Sequence, residues 1–342
     1  MFGCVLPVVF LAPVSVIGQQ SGPDARGDRV DDNHRLCLSQ LGESPLPADF
    51  EFVGLTVSEA AAADPVITMW SRSELLVEKL SADSANAVTE AVARIPLKDV
   101  TPLSAALVAW EDGKPVMELF DPRNGNIWTG NGTDGEFTRT SAPPGSAVAS
   151  GAIRDESGWA WAQKSLDPVA DTTRILVSAG GRARTPDQLT TLRRPDEPQR
   201  GIDRLLHLRS DGNDGYLVQQ AGFPFATIRF GQENEESWRT YPSPDELRDV
   251  LGETDLRYVI ATPSVALGDA VLTTFVAARS PHRVSSLTFG RGESTRYRAV
   301  PDDLAFLTAL PKHKLLIATR AAVSRRLVFV RWRWIDQRQT CS

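Results

Sequence analysis

The chain has few of the residues that build metal sites, with only four histidines and three cysteines among 342 residues. None of the histidines stands at i, i+4 spacing from another or near a carboxylate cluster; they are His34, His207, His282 and His313. Zinc and related ions need several nitrogen, sulfur or carboxylate ligands at short, regular spacings. The sequence therefore predicts no metal site, and no cofactor is expected.

Long apolar runs and a strong charge imbalance are also lacking. Beyond the N-terminal segment, no apolar run reaches the roughly 20 residues of a membrane-spanning helix. The net charge is −6, which gives no sign of a surface for nucleic acids or other general polyanions. Hydrophobic residues make up 42% and charged residues 23%, as in ordinary soluble globular proteins. The composition therefore argues against a membrane span and against nucleic-acid binding.

Signatures of catalysis are missing as well. The chain has no Gly-x-Ser-x-Gly motif, which marks the nucleophile of α/β-hydrolases. The paired carboxylates of a glycosidase have no characteristic spacing in a sequence, so a glycosidase is not excluded. No catalytic residue is predicted, and enzymatic activity stays open.

The first residues differ from the rest of the chain. Cys4 to Gly18 is apolar and uncharged, with small residues Val16 and Gly18 before a plausible cleavage point. This pattern predicts a secretory signal peptide over residues 1–18, although no Lys or Arg precedes the apolar stretch. The alternative is a buried N-terminal strand. Residues 19–36 are polar and predict a disordered leader, and the mature protein is expected to be secreted or periplasmic.

Removal of a signal peptide would leave two cysteines, Cys37 and Cys341. An even count in an oxidising compartment favours a disulfide. A bridge that closes a loop of about 300 residues would stabilise the fold by roughly 4–5 kcal/mol in the chain-entropy model. The alternative is two free thiols.

A short phrase that ends in proline recurs every 47 to 59 residues, at Pro96, Pro143, Pro195, Pro242 and Pro301. Between these prolines, apolar strands alternate with turns rich in Gly, Asp and Asn, which is the pattern of β-hairpins. Six such hairpins can be placed, the first at Val66–Val77 and the last at Leu304–Ala318. Each unit has room for four strands, and proline suits the exit of an edge strand.

This repeat resembles a β-propeller over residues 37–342, an all-β fold in which four-stranded blades are arranged in a ring. The resemblance implies about six blades, with five or seven as alternatives. It also implies that the termini lie together, so that Cys37 to Gly54 completes the last blade and the disulfide locks the closure. No subfamily is indicated, because the chain lacks the Ser-x-Asp-x-Gly-x-x-Trp box of sialidases and the Trp-Asp ending of WD repeats.

The C-terminal strand is the most distinctive local feature. Alternation within Leu327 to Trp334 places Arg331 and Arg333 on one face and Trp332 and Trp334 on the other. Together with neighbouring Lys312 and other basic residues, this strand predicts a binding surface for an acidic partner or a glycan. The alternative is a blade strand whose Trp side chains pack between blades and whose Arg side chains protect an edge.

The function expected from these features is non-enzymatic binding of a protein or carbohydrate partner by a secreted β-propeller. The rival is a propeller-type hydrolase of glycans or lactones with its site in the central channel. A third class is a structural subunit of a surface assembly. Polar groups that converge around a channel would favour the enzyme, and the fold alone does not decide.

Overall fold

The structure is a computed structural model. It describes residues 34–59, 64–83, 86–102, 104–121, 126–141, 149–155, 158–164, 172–179, 182–183, 187–190, 202–210, 213–220, 226–230, 238–241, 248, 259–261, 264–267, 270–277, 283–289, 295–299, 304–320, 323–336 and 338–341. The predicted signal peptide, most of the predicted leader and four of the five phrase prolines (Pro143, Pro195, Pro242 and Pro301) lie outside these residues.

Within the described residues, twenty-six strands form six antiparallel sheets. The first strand, β1, is His34–Pro45. Sheet 1 contains β2 (Gly54–Ser58), β3 (Val66–Trp70), β4 (Glu74–Ala82) and β5 (Ala87–Pro96). Sheet 2 contains β6 (Ser104–Glu111), β7 (Lys114–Asp121), β8 (Asn126–Asn131) and β9 (Thr138–Ser141).

Sheets 3 and 4 follow in the same order along the chain. Sheet 3 contains β10 (Ala149–Asp155), β11 (Gly158–Lys164), β12 (Thr172–Ala179), β13 (Arg182–Ala183) and β14 (Asp187–Thr190). Sheet 4 contains β15 (Ile202–Ser210), β16 (Asn213–Gln220), β17 (Ala226–Phe230) and β18 (Trp238–Tyr241).

Sheet 5 contains β19 (Val259–Ala261), β20 (Val265–Leu267), β21 (Ala270–Ala277), β22 (Arg283–Phe289) and β23 (Thr295–Ala299). Sheet 6 contains β24 (Leu304–Leu310), β25 (Leu315–Arg320), β26 (Val323–Asp336) and β1. Sheets 3 and 5 have five strands because two short strands pair with the same neighbour. In sheet 3, β13 and β14 both pair with β12, and in sheet 5, β19 and β20 both pair with β21. The predicted all-β class is confirmed.

The phrases that end in proline mark the last strand of the first five sheets. Pro96 ends β5, and the phrases before Pro143, Pro242 and Pro301 run through β9, β18 and β23. The phrase before Pro195 begins directly after β14 and lies outside the described residues. A last strand has a neighbour on one side only, so its exit can hold a residue without an N–H group.

The N-terminal strand completes the C-terminal sheet. β1 pairs antiparallel with β26 from His34↔Asp336 to Pro45↔Arg326, with an irregularity between Gln40 and Gly42. The sequence predicts that Cys37 to Gly54 supplies this strand, whereas the pairing starts at His34 and stops at Pro45. Residues 34–36, assigned to the leader from sequence, therefore belong to the strand, and Leu36 is buried.

The described core lies between neighbouring sheets. Alternate residues of β25 point to opposite neighbours: Leu316 and Ala318 pack with sheet 5, whereas Leu315 and Ile317 pack with sheet 1. A third cluster joins sheets 1 and 2 through residues such as Trp70 and Leu107. A strand covered on both faces needs apolar residues at successive positions, which explains the continuous apolar run in β25.

The strands that begin the sheets also contact one another. The contacting pairs are β2 with β6, β6 with β10, β10 with β15, β15 with β20, β20 with β24, and β24 with β2. In sheets 2 and 6 this first strand has a bulge three residues before its end, at Val108 and Leu307. A bulge bends and twists its strand and redirects the side chains that follow. No helix among the described residues is both long and apolar enough to cross a membrane.

Candidate functional site

The predicted binding surface lies on β26, between β25 and β1. Trp332 is only 6% exposed and belongs to the core cluster shared with sheet 5, and Trp334 packs against that cluster. The two indole rings meet edge to face with centroids 6.2 Å apart. The tryptophan face of this strand is therefore used to pack sheet 6 against sheet 5.

The arginine face of β26 is directed towards sheet 1. Arg331 is partly buried and donates a hydrogen bond from Nη2 to the main-chain oxygen of Asp83, which directly follows β4. Arg333 is also partly buried and pairs in register with Cys37. The structure thus separates the four predicted residues onto two faces. Binding through Arg331, Trp332, Arg333 and Trp334 stays a prediction.

Cys37 and Cys341 form a disulfide, with their Cα atoms 5.6 Å apart. Cys37 lies on β1 and is 1% exposed, whereas Cys341 follows the end of β26. The bond therefore joins β1 to the segment that follows β26, and its two partners are the ones that the cysteine count predicts.

A second group of side chains lies where the first two strands of a sheet join, which we call the hairpin end. Ser58 Oγ donates a hydrogen bond to the Leu107 carbonyl at 2.8 Å, and Thr56 Oγ1 donates to the Ala105 carbonyl. Both bonds join residues 49 apart, so β2 and β6 run in the same direction side by side. Glu59, the residue after Ser58, therefore lies level with Val108.

Two large apolar side chains are exposed at this end of β6. Val108 is 39% exposed and Trp110 is 43% exposed. Val108 is the extra residue of the bulge between Leu107 and Ala109, and the bulge directly precedes Trp110. Single exposed apolar residues are common. Here two of them lie beside a partly buried carboxylate and form a small surface patch that is partly apolar and partly acidic.

The hairpin end of sheet 6 contributes positive charge to the same place. Pro311–His313 form a single 3-10 turn, and Lys314 follows with a φ of 53° while its N–H donates to the Pro311 carbonyl at 3.2 Å. The main-chain N–H of Lys312 donates to the Glu59 carboxylate. Glu59, Val108, Trp110, Lys312 and His313 are called the hairpin-end cluster below.

Glu59 is the titratable centre of this cluster. Burial raises the pKa of Glu59, and the charges of His313 and Lys312 and the Lys312 N–H oppose that rise. Its Oε1 atom is buried and has no hydrogen-bond partner among the residues that the structure describes. A buried carboxylate oxygen without a donor is costly, which agrees with the raised pKa of Glu59.

The sequence does not single out Glu59 or Trp110. Trp110 is visible beforehand only as an aromatic residue next to a Glu-Asp-Gly-Lys turn, and His313 only as an isolated histidine. The cluster forms because the hairpin ends of sheets 1, 2 and 6 lie side by side, and these ends contain Glu59, Trp110 and Lys312. That proximity depends on the neighbour order of sheets 6, 1 and 2.

A third polar group joins two sheets and has a structural role. Glu118 on β7 accepts hydrogen bonds at Oε2 from Arg154 Nε and Trp159 Nε1, both at 2.8 Å. Trp159 is 1% exposed and stacks on Phe120 with ring centroids 5.9 Å apart. Glu118 therefore connects sheet 2 to sheet 3, and its accepting oxygen is already occupied.

No family model matches the chain, and no curated protein matches its sequence. Among solved structures, a member of the DUF4221 family from Bacteroides vulgatus superposes with a TM-score of 0.51 at 9% identity, over 89% of this chain and 99% of that chain. A Bacteroides fragilis protein, provisionally described as exported, gives a TM-score of 0.46 at 12% identity, over 90% of this chain and 98% of that chain.

The β-propeller domain of Nup133 from Vanderwaltozyma polyspora gives a TM-score of 0.42 at 8% identity, over 89% of this chain and 99% of that chain. At these identities a likeness to solved structures speaks of the fold alone. The fold is all-β, built from several four-stranded antiparallel sheets, an arrangement that is consistent with a β-propeller.

Proposed function

We propose that this chain is a secreted, six-bladed β-propeller that binds carbohydrate through the hairpin-end cluster. The six sheets would be the blades, and the ring would close between sheets 6 and 1. Support for closure comes from the contact of β24 with β2, from the pairing of β1 with β26 and from the Cys37–Cys341 bond. Export is supported by the disulfide, which suits an oxidising compartment.

The observation that carries the binding proposal is the exposed ring of Trp110 at the hairpin end where the partly buried Glu59 also lies. An indole presents a wide apolar face that can cover the C–H face of a sugar ring, and tryptophan is among the residues most enriched at binding hot spots. The Glu59 carboxylate accepts hydrogen bonds from hydroxyl groups. A sugar offers both an apolar face and hydroxyl donors, which matches this pair of side chains.

A propeller-type hydrolase is the second candidate, and the raised pKa of Glu59 favours it. A carboxylic acid whose pKa is raised by burial can act as the general acid that protonates the leaving oxygen of a glycosidic bond. A glycosidase needs a second carboxylate about 5–10 Å away. Glu111 and Asp112 follow Trp110 on the same turn, but both are exposed, and no described contact pairs either of them with Glu59, so we favour binding.

Replacement of Trp110 tests the proposal. An oligosaccharide array identifies the glycans that the wild type retains, and calorimetry then compares variants on the best of them. We expect Trp110→Ala to weaken binding at least tenfold because the stacking face is lost, whereas Trp110→Phe keeps a ring and retains part of the affinity.

Val88→Ala is the matched control, since Val88 is 53% exposed on β5 and lies away from the cluster. Equal affinity of wild type and Trp110→Ala would refute the proposal. Release of new reducing ends by the wild type, abolished in Glu59→Gln, would instead establish the second candidate.

A further inference from the structure

The interface between sheets 6 and 1 encloses a carboxyl group. In β4, Leu75 and Val77 pack with sheet 2. Leu76 and Leu80 of the same strand pack with sheet 6. Glu78 lies between Leu76 and Leu80 in this alternation, so its side chain points to sheet 6, and the residue is only 6% exposed. An acidic side chain is therefore buried in an interface that is otherwise built largely from apolar residues.

The polar partners of Glu78 extend across this interface. Thr89 on β5 donates a hydrogen bond to the Glu78 carboxylate. The hydroxyl oxygens of Thr89 and Ser44 are 2.6 Å apart, and Ser44 lies on β1 of sheet 6. Because Thr89 has a single hydroxyl proton, Ser44 is the donor in this second bond. Oε2 of Glu78 is buried and has no hydrogen-bond partner within the described residues, so half of the carboxylate lacks a donor.

The charged groups that sheet 6 brings to the interface contact residues other than Glu78. Arg331 donates to the main-chain oxygen of Asp83, and Arg333 follows on the same face of β26. The turn Lys312–His313 faces Glu59 at the hairpin end. From β24 and β25 the interface receives the apolar side chains Leu307, Leu310, Leu315 and Ile317.

The charged groups of sheet 1 that are nearest in sequence lie on the other face of the sheet. Lys79 and Glu90 pair in register there, and Lys79 Nζ contacts the Asp64 carboxylate at 2.8 Å. Burial raises the pKa of Glu78, and the hydrogen bond from Thr89 opposes the rise. Ionisation of Glu78 therefore places a charge in the interface that no cation among the described residues neutralises, which is costly.

We propose that the interface between sheets 6 and 1 is a pH-dependent joint, which is closed while Glu78 is protonated and opens locally when Glu78 is ionised. Opening lets water hydrate the carboxylate while the sheets themselves stay folded, as in other local openings. β1 stays on β26, because their pairing and the Cys37–Cys341 bond both lie within sheet 6. The bond between Ser44 and Thr89 is broken. This inference does not depend on the proposed glycan site.

Hydrogen exchange followed by mass spectrometry tests the joint. Exchange of the full chain is measured at pH 4.5 and pH 7.5, and each rate is divided by the rate of an unstructured chain at the same pH. A raised pKa favours the closed interface in acid, and this contribution is lost as the pH rises through the folded-state pKa. We expect the protection of β1, β4 and β5 to fall by about threefold or more between the two pH values. The protection of β7 and β8 in sheet 2 should stay unchanged.

Three variants assign the effect to Glu78. Glu78→Gln cannot ionise, so β1, β4 and β5 should be protected equally at both pH values. Thr89→Val keeps the shape of the side chain but removes the donor to the carboxylate, so the fall in protection should move to higher pH. Glu90→Gln changes an exposed carboxyl group on β5 and should behave like the wild type. Thermal unfolding shows that each variant is folded.

Three results would overturn the inference. A fall of the same size in every sheet would mean that the protein opens only as a whole. The same fall in Glu78→Gln as in the wild type would assign the pH dependence to another group. Constant protection of β1, β4 and β5 in the wild type would show that the interface stays closed around the ionised carboxylate.

Discussion

Glu78 is the most deeply buried carboxyl group among the described residues with a shifted pKa, since the residue is only 6% exposed. Burial raises its pKa, and a hydrogen bond from Thr89 opposes the rise. Thr89 on β5 in turn hydrogen-bonds Ser44 of β1 at 2.6 Å. A polar chain of three side chains therefore crosses from sheet 1 to the N-terminal strand of sheet 6.

The raised pKa of Glu78 makes stability depend on pH. Because the folded-state pKa lies above the unfolded value of about 4.3, this group stabilises the fold at pH below 4.3, and the contribution is lost as pH rises through the folded-state pKa. Glu78→Gln replaces the carboxyl group with an amide that does not ionise, so the variant does not lose this stability as the pH rises. We expect the variant to be more stable than wild type at pH 7 by on the order of 1 kcal/mol, with the difference decreasing towards pH 4.

Thermal unfolding of both proteins between pH 4 and pH 8 measures this difference. Glu90→Gln, at an exposed position on β5, is the control for the change of charge. A Glu78→Gln variant that is less stable than wild type throughout this range would contradict the prediction and would mean that the ionised carboxylate stabilises the fold.

At the residue scale the sequence predicts the disulfide but not the hairpin-end cluster. If the predicted signal peptide is removed, two cysteines remain and each has one partner, so counting them is sufficient to pair Cys37 with Cys341. Glu59 and Trp110 have no such constraint, because their proximity depends on the 49-residue offset between β2 and β6. That offset is set by packing between sheets, which no local pattern encodes.

At the scale of elements, the phrase that ends in Pro96 is also a contact point between sheets. Gly135 lies in the segment between β8 and β9 with a φ of 77°, and a Cβ atom there would collide with the Pro96 carbonyl oxygen. The glycine is therefore needed for two reasons, its backbone conformation and the close approach of sheet 1.

Gly135→Ala should be clearly destabilising. We expect a loss of roughly 2–4 kcal/mol in the free energy of unfolding, since the backbone strain of a left-handed alanine is combined with a main-chain clash. Gly113→Ala is the matched control, because Gly113 has a φ of 75° and nothing within 4 Å of its added Cβ. The control should lose only about 1 kcal/mol.

Urea unfolding followed by tryptophan fluorescence compares the two variants. Equal losses would show that the contact with Pro96 costs nothing and that the backbone conformation explains the whole effect.

The elements themselves are largely predictable, whereas their details are not. The alternation of apolar runs and turns predicts the six hairpins, because each strand must bury side chains against its neighbours. The divided strands of sheets 3 and 5 and the bulges at Val108 and Leu307 do not follow from that alternation. A bulge is one extra residue in one of two paired strands. Because the composition of both strands stays ordinary, the sequence gives no sign of it.

At the scale of the whole molecule, the Cys37–Cys341 bond connects residues 304 apart in the sequence. In the chain-entropy model a cross-link stabilises the fold by restricting the unfolded chain, and a long loop gives a large effect. The bond also holds β1 on β26, and this pairing contributes the last strand of sheet 6.

Cys37→Ala/Cys341→Ala should lower the free energy of unfolding by about 2–5 kcal/mol. Each single variant should lose about as much as the double variant, because either change removes the same bond. Denaturant unfolding of the variants and of the reduced wild type measures the loss. A double variant as stable as the oxidised wild type would show that the bond contributes nothing to stability.

The pairing of β1 with β26 has a consequence for how the protein is made. At about 5–20 residues per second, synthesis reaches Cys341 some 15–60 s after Cys37 has been added. Throughout that interval β1 lacks the strand that it will join, and sheet 6 cannot form. Folding that depends on contacts so distant in sequence is slow. A cell that makes this chain must therefore keep β1 from pairing elsewhere until β26 has been synthesised.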